Sequence, residues 1–130
     1  ILIRAQRTRI IDILLNLIRN ACDAVKKKKE ERRMDIHIKE GKKNITVTVG
    51  DNGEGIPEEN LGRIFSFGFT TKREGFGFGL HSCAVFMEEL GGTISAKSDG
   101  PGKGARFILT FPRGKSGRRR GRGNDEEADR

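Results

Sequence analysis

Asp12, Asn16, Asn20 and Asp23 lie on one flank of an otherwise apolar stretch, Ile10 to Val25. At about 100° per residue of helix they share a single arc, while isoleucine and leucine fill most of the rest. A polar arc is ordinarily a solvent face. Solvent faces favour lysine and glutamate, however, whereas asparagine and aspartate compete with the helix backbone for hydrogen bonds, so asparagine repeated at this spacing suits a polar ligand. A carboxamide oxygen is a neutral hard donor of the kind Mg²⁺ accepts alongside water and phosphate oxygens, and Asn20 is the candidate for it. The helical repeat alone leaves solvent face and ligand face both open. Further along, Asp51 is followed by Asn52-Gly53-Glu54-Gly55-Ile56-Pro57, where a carboxylate that only accepts hydrogen bonds precedes glycines that permit tight turns. Gly75, Gly77 and Gly79 directly precede a second apolar-periodic segment, so unhindered amides and a helix N-terminus would coincide there, as anion binding requires.

The elements that must position these groups alternate in period. Ile1 to Ala5 reads as the end of a strand, and Thr8 to Lys29 as the main core helix. Met34 to Lys39 and Asn44 to Gly50 alternate apolar and polar residues about Glu40-Gly41-Lys42-Lys43, which predicts a hairpin. Pro57-Glu58-Glu59-Asn60-Leu61 has the proline and acids of a short helix start. A glycine-rich loop from Ser66 to Gly79 leads to a helix with Leu80, Cys83, Ala84, Met87 and Leu90 as its buried stripe, stopped by Gly91-Gly92. Thr93 to Ser98 and Ala105 to Phe111 form a second hairpin. The fold class expected is α+β: a two-layer sandwich with a mixed, mostly antiparallel sheet covered on one face by helices.

The chain of 130 residues suits one domain, residues 1–112, followed by a tail, 113–130. The tail is basic and then acidic without apolar periodicity, as in disordered segments. The net charge of +8 is concentrated in that tail and in Lys26 to Arg33. With no aromatic residues interleaved among the arginines, nucleic acid is not an expected partner. Cys22 and Cys83 are expected on apolar helix faces as small hydrophobes, with no zinc or disulfide spacing and a reducing, cytoplasmic setting. Nothing approaches the ~20 apolar residues of a membrane span.

NLIRNACDA (Asn16 to Ala24), DNGEGIP (Asp51 to Pro57), FTTK, GFGFGL (Gly75 to Leu80) and GKGARF occur in one order. Together they resemble the boxes of the sensor histidine kinase catalytic domain, within the wider ATPase superfamily of gyrase, heat-shock chaperones and mismatch-repair proteins. The resemblance covers roughly Arg9 to Pro112. It implies that Asn20 coordinates Mg²⁺, that Asn16 assists at the triphosphate, and that Asp51 accepts the adenine amino group, with Gly53, Gly55 and Ile56 shaping the space for the ring. It further implies a flexible ATP lid entered through Phe65, Phe67 and Phe69. Thr70, Thr71 and Lys72 then stand near the phosphates, and Gly75, Gly77, Gly79 and Leu80 beneath them.

Hydrolysing members of the superfamily carry a glutamate where this chain has Asn16, and asparagine cannot act as a general base. The resemblance therefore implies a protein-histidine kinase domain that holds Mg·ATP for a histidine on a separate dimerisation domain, with a response regulator downstream. The isolated domain is expected to be monomeric. The Asp23-Ala24 ending is similar to the nitrogen-regulation type of kinase, and Asp23 reads as structural. His81 and His37 lack the setting of a phosphoacceptor. Ala105 replaces the commoner threonine of the last glycine box, where Gly102 and Gly104 fit a hairpin turn at least as well as a ligand contact. Rival readings are a self-sufficient ATPase, a serine kinase of the same fold, and a non-catalytic nucleotide-binding module.

Overall fold

The structure is a computed structural model that describes residues 4–66 and 79–113. Helix α1 (Arg4–Ala24) sends Ile13, Leu17 and Ala21 into the core at successive turns. It begins earlier than its apolar stripe, because Arg4, Ala5 and Gln6 are good helix formers, so Arg4 and Ala5 belong to the helix and not to a strand. It also ends earlier than Lys29. The Ala24 carbonyl, which would bond onward in the helix, accepts the Glu54 N–H instead at 2.9 Å. Arg32 then folds back, its guanidinium donating to the Lys28 and Lys26 carbonyls at 2.6 and 3.0 Å, so part of the basic cluster satisfies the end of this helix.

Strands β1 (Met34–Glu40), β2 (Asn44–Asp51), β3 (Thr93–Lys97) and β4 (Ala105–Pro112) form one sheet in the order β1-β2-β4-β3. Every neighbouring pair of these strands is antiparallel, so the described sheet is not mixed. The register sets Val47 opposite Leu109 and Val49 opposite Phe107, with Ile94 and Ala96 completing the rows from β3. These side chains line one face, against Ile13 and Leu17 of α1 and against Cys83 and Met87 of helix α3 (Gly79–Glu89). Fully burying a valine, leucine, isoleucine, phenylalanine or methionine among them is worth about 1.5–3 kcal/mol.

The short helix α2 (Glu58–Leu61) follows Pro57, which occupies its cap position. Ile64 and Phe65 then close one edge of the core, the Phe65 ring meeting Phe107 edge to face at 6.2 Å between centroids. Helix α3 stops as its glycines require. Gly91 takes φ 80°, Gly92 N–H donates to the Met87 carbonyl at 2.8 Å and Gly91 N–H to Glu88 at 3.0 Å. Arg113, the first residue assigned to the tail, is held to the β1–β2 turn. Its N–H donates to the Lys43 carbonyl at 2.9 Å, and its guanidinium reaches the Gly41 carbonyl at 2.8 Å and Glu40 at 3.0 Å. The remainder of the tail, 114–130, lies outside the described residues.

Candidate functional site

The site forms where the DNGEGIP loop meets the C-terminal end of α1 and where α3 begins beside the middle of α1. Asp51 is the last residue of β2, half-buried, and its Oδ1 accepts the Gly53 N–H at 2.8 Å, closing an Asx-type turn. Burial is the dominant influence on its carboxyl and raises its pKa above the ordinary carboxylate value. The Gly53 and Ala105 amides oppose the rise, and Glu54 and Asp35 add to it. A carboxylate held this way keeps a defined direction and resists being surrounded by further negative charge.

Two glycines of the loop are there because nothing larger fits. A Cβ on Gly53 would strike the Ala24 carbonyl, and Gly55 combines φ 73° with close approach to the Gly100 carbonyl. Ile56 N–H donates to Ser98 Oγ at 3.0 Å, while its side chain packs on the core. The GKGARF turn braces this loop from outside: Gly102 N–H donates to the Glu54 carbonyl at 2.7 Å and Gly104 N–H to Gly53 at 3.2 Å. Gly102 and Gly104 thus act as structural partners of the loop, with Ser98 Oγ donating to the Gly104 carbonyl at 2.6 Å. Ser98 and Asn52 carry this bracing without any signal in their local sequence. Asn52 Oδ1 accepts the Arg33 N–H at 2.8 Å and its Nδ2 donates to the Glu31 carbonyl, tying the loop to the α1–β1 connection. Such long-range bonds are invisible until the chain folds.

On α1, Asn16 Nδ2 donates to the Asp12 carbonyl at 3.1 Å, which leaves its Oδ1 toward α3. A Cβ built on Gly79 would lie 3.3 Å from that oxygen, so the asparagine flank and the first residue of α3 are immediate neighbours. The Cys83 thiol donates to the Ile13 carbonyl at 3.8 Å, and burial pushes its pKa up to about 11, an effect the Asn16 carboxamide opposes. Asn20 stands one turn nearer the Asp51 loop on the same flank, partly exposed. Leu80 packs against the core as α3 opens. Asp12 and Asp23 are exposed. Phe67, Phe69, Thr70, Thr71, Lys72, Gly75 and Gly77 lie outside the described residues.

His81 turns its Nδ1 to the Phe65 carbonyl at 3.1 Å, packing back onto the segment after α2. His37 is exposed on β1, opposite in side to Ile36 and Ile38. Cys83 is buried as expected, but Cys22 is exposed, because the buried stripe of α1 runs through Ile13, Leu17 and Ala21 and the next position falls outside it. A cleft of about 210 Å³ adjoins Asp51 on the side of Asp35, Lys97 and Arg106; neither Asn16 nor Asn20 lines it. Among the described residues no cluster of His, Cys, Asp and Glu could hold a metal by itself. A cation at Asn20 would thus depend on its ligand's own oxygens.

With this geometry in place, residues 5–115 match the family model of histidine kinase-, DNA gyrase B- and HSP90-like ATPases. The chain belongs to this family. It is 39% identical over 111 residues to the sensor histidine kinase ZraS of Klebsiella oxytoca, covering 85% of this chain and 23% of that protein. It is 37% identical over 113 residues to sporulation kinase A of Bacillus subtilis, covering 87% of this chain and 18% of that one. The chain therefore spans a quarter or less of these two relatives. Among solved structures, the catalytic domain of histidine kinase ThkA superposes with a TM-score of 0.71 at 36% identity, covering 82% of this chain and 68% of that chain. The family and these neighbours make the chain an ATP-binding domain of the sensor histidine kinase type. Among the described residues, no helix is long and apolar enough to cross a membrane.

Proposed function

We propose that this domain, residues 1–112, holds Mg·ATP and presents the γ-phosphate to a histidine on a separate dimerisation domain of the parent kinase, with a response regulator as the eventual recipient. The observation that carries the reading is the approach of Asn16 Oδ1 to Gly79 at the start of α3, one helical turn from Asn20. It joins the asparagine flank to the amides of a helix N-terminus, where phosphate oxygens are favoured.

In this reading Asp51 accepts the adenine 6-amino group. Gly53, Gly55 and Ile56 form the wall beside the base, and Leu80 supports the site from beneath. Asn20 supplies the carboxamide oxygen to Mg²⁺, which when bound neutralises phosphate charge and aligns the leaving group. Asn16 orients the triphosphate and, lacking a titratable acceptor, does not prepare water for attack. Phe69, Thr71, Lys72, Gly75 and Gly77 are assigned to the lid and phosphates on the order of motifs alone. Phosphoryl transfer asks chiefly for alignment and charge neutralisation, so a domain without its own nucleophile can perform it. A cytoplasmic setting follows from its need for ATP.

The test supplies a dimerisation domain bearing a phosphoacceptor histidine and follows label from the γ-phosphate of ATP. Acid-labile label on that histidine is expected; phosphate release without transfer would refute the kinase assignment.

A further inference from the structure

The hydroxyl of Ser98 is saturated with hydrogen bonds. Its Oγ accepts the Ile56 N–H at 3.0 Å and the Gly100 N–H at 3.2 Å, and it donates to the Gly104 carbonyl at 2.6 Å. One proton and two lone pairs are all that a serine hydroxyl has. Two of these partners lie at opposite ends of the loop that begins at Asp51. Gly104 sits over its start, where a Cβ would strike the Asp51 carbonyl oxygen, and Ile56 is its far end. The other bonds from the β3–β4 turn to this loop come from backbone amides, those of Gly102 to Glu54 and Gly104 to Gly53.

Gly55 makes the side-chain bond necessary. With φ 73° it turns the chain as no other residue does readily, but a glycine leaves its own ψ free, so the peptide plane joining it to Ile56 needs an outside hold. The Ile56 N–H lies in that plane, and Ser98 Oγ is its acceptor. Ser98 can hold it because it directly follows β3, whose last residue, Lys97, is in register with Arg106 of β4. The hydroxyl is thus carried by the sheet, and the loop is held to it, an arrangement that fixes a binding group on a rigid element.

On the basis of the adenine site proposed above at Asp51, Gly55 and Ile56, we propose that Ser98 is a positioning residue for base selection. It acts through Ile56 and Gly104, keeping the wall beside the base and the start of the loop at a fixed separation from each other. The groups assigned to the triphosphate, Asn16, Asn20 and Gly79, stand on α1 and α3 and are indifferent to the base. The preference for ATP over inosine triphosphate, which carries a 6-oxo group in place of the amino group, therefore isolates what the loop contributes.

The test measures the affinities of ATP and inosine triphosphate, each with Mg²⁺, by titration calorimetry on the full chain and on Ser98→Ala. The native chain should favour ATP, and Ser98→Ala should reduce that preference by about threefold or more, the size of one hydrogen bond's net contribution, mainly through weaker ATP binding. Leu109→Ala, which opens a cavity in the core, reports what lost stability alone does, and it should keep the native preference. An unchanged preference in folded Ser98→Ala, or an equal fall in Leu109→Ala, would overturn the role of Ser98 and leave the adenine site standing. A native chain that binds both nucleotides alike would overturn the adenine site and Ser98's role together. If Ser98→Ala does not fold, judged by circular dichroism, Ser98→Cys, whose thiol is only a weak acceptor, replaces it with the same readings.

Discussion

Replacing Asp51 by Asn separates the cost this residue imposes on the fold from the adenine binding proposed for it. The carboxamide oxygen can still accept the Gly53 N–H that Asp51 Oδ1 accepts at 2.8 Å, so the turn survives. The change falls on the group offered to the base: an acceptor-only carboxylate becomes an amide that can present a donor, against a donor on adenine. Losing a hydrogen bond to a charged group costs about 1.5–3 kcal/mol. At 1.4 kcal/mol per tenfold, ATP affinity should fall roughly 10- to 140-fold, measured by titration calorimetry. Inosine triphosphate, with a 6-oxo acceptor in place of the amino group, should lose its disadvantage against ATP in the variant.

Stability should move the other way. Burial raises the Asp51 pKa above 3.8, so the folded state binds the proton more tightly than the unfolded chain does. Below the unfolded pKa the group is protonated in both states and imposes no penalty. The penalty grows as pH rises from that value through the raised folded value and stays in place at neutral pH. Asp51→Asn should thus gain stability relative to the parent at pH 7, and the gain should vanish near pH 3.5, as read by urea unfolding. Unchanged ATP affinity in a folded variant would refute the adenine assignment, and a gain that grew on acidification would refute the burial argument.

Asn20→Ala should weaken ATP binding in the presence of Mg²⁺ by about tenfold or more while leaving magnesium-free binding nearly unchanged, a contrast that calorimetry with and without chelator resolves. Leu109→Ala, at a fully buried site between the two helices and the sheet, should cost about 2–5 kcal/mol in denaturant unfolding. Gly55→Ala should destabilise by more than about 1 kcal/mol, because φ 73° and the Gly100 carbonyl both oppose a Cβ. In native protein a thiol reagent at pH 8 should modify Cys22 and spare Cys83, which is buried with a pKa near 11; mass spectrometry of the adducts reports which.

The motifs made the family legible because each has a local physical cause. Glycines mark backbone that side-chain-bearing residues rarely adopt, as at Gly55 and Gly91, and the Asp51 turn closes within three residues. Helix and strand periods were readable for the same reason, and the hairpins and the α3 stop lie within a residue or so of where periodicity sets them. The errors concern ends and neighbours. Helix α1 ends at Ala24 because Glu54 takes its carbonyl, and Glu54 is far away along the chain. Cys22 is exposed because it lies one position past Ala21, off the stripe that Ile13, Leu17 and Ala21 bury.

The order and types of residues were enough to establish the family, the elements and the candidate ligand groups, since these depend on short-range sterics, periodicity and the hydrogen-bonding capacity of single side chains. Tertiary structure alone decided that Ser98, Gly102 and Gly104 brace the Asp51 loop, that Asn16 meets the start of α3, and that Ile36 and Ile38 on β1 are exposed while Val47 and Val49 beside them on β2 are buried. Those outcomes depend on which distant backbones come into register, and a contact across fifty residues leaves no mark in the local pattern of either partner.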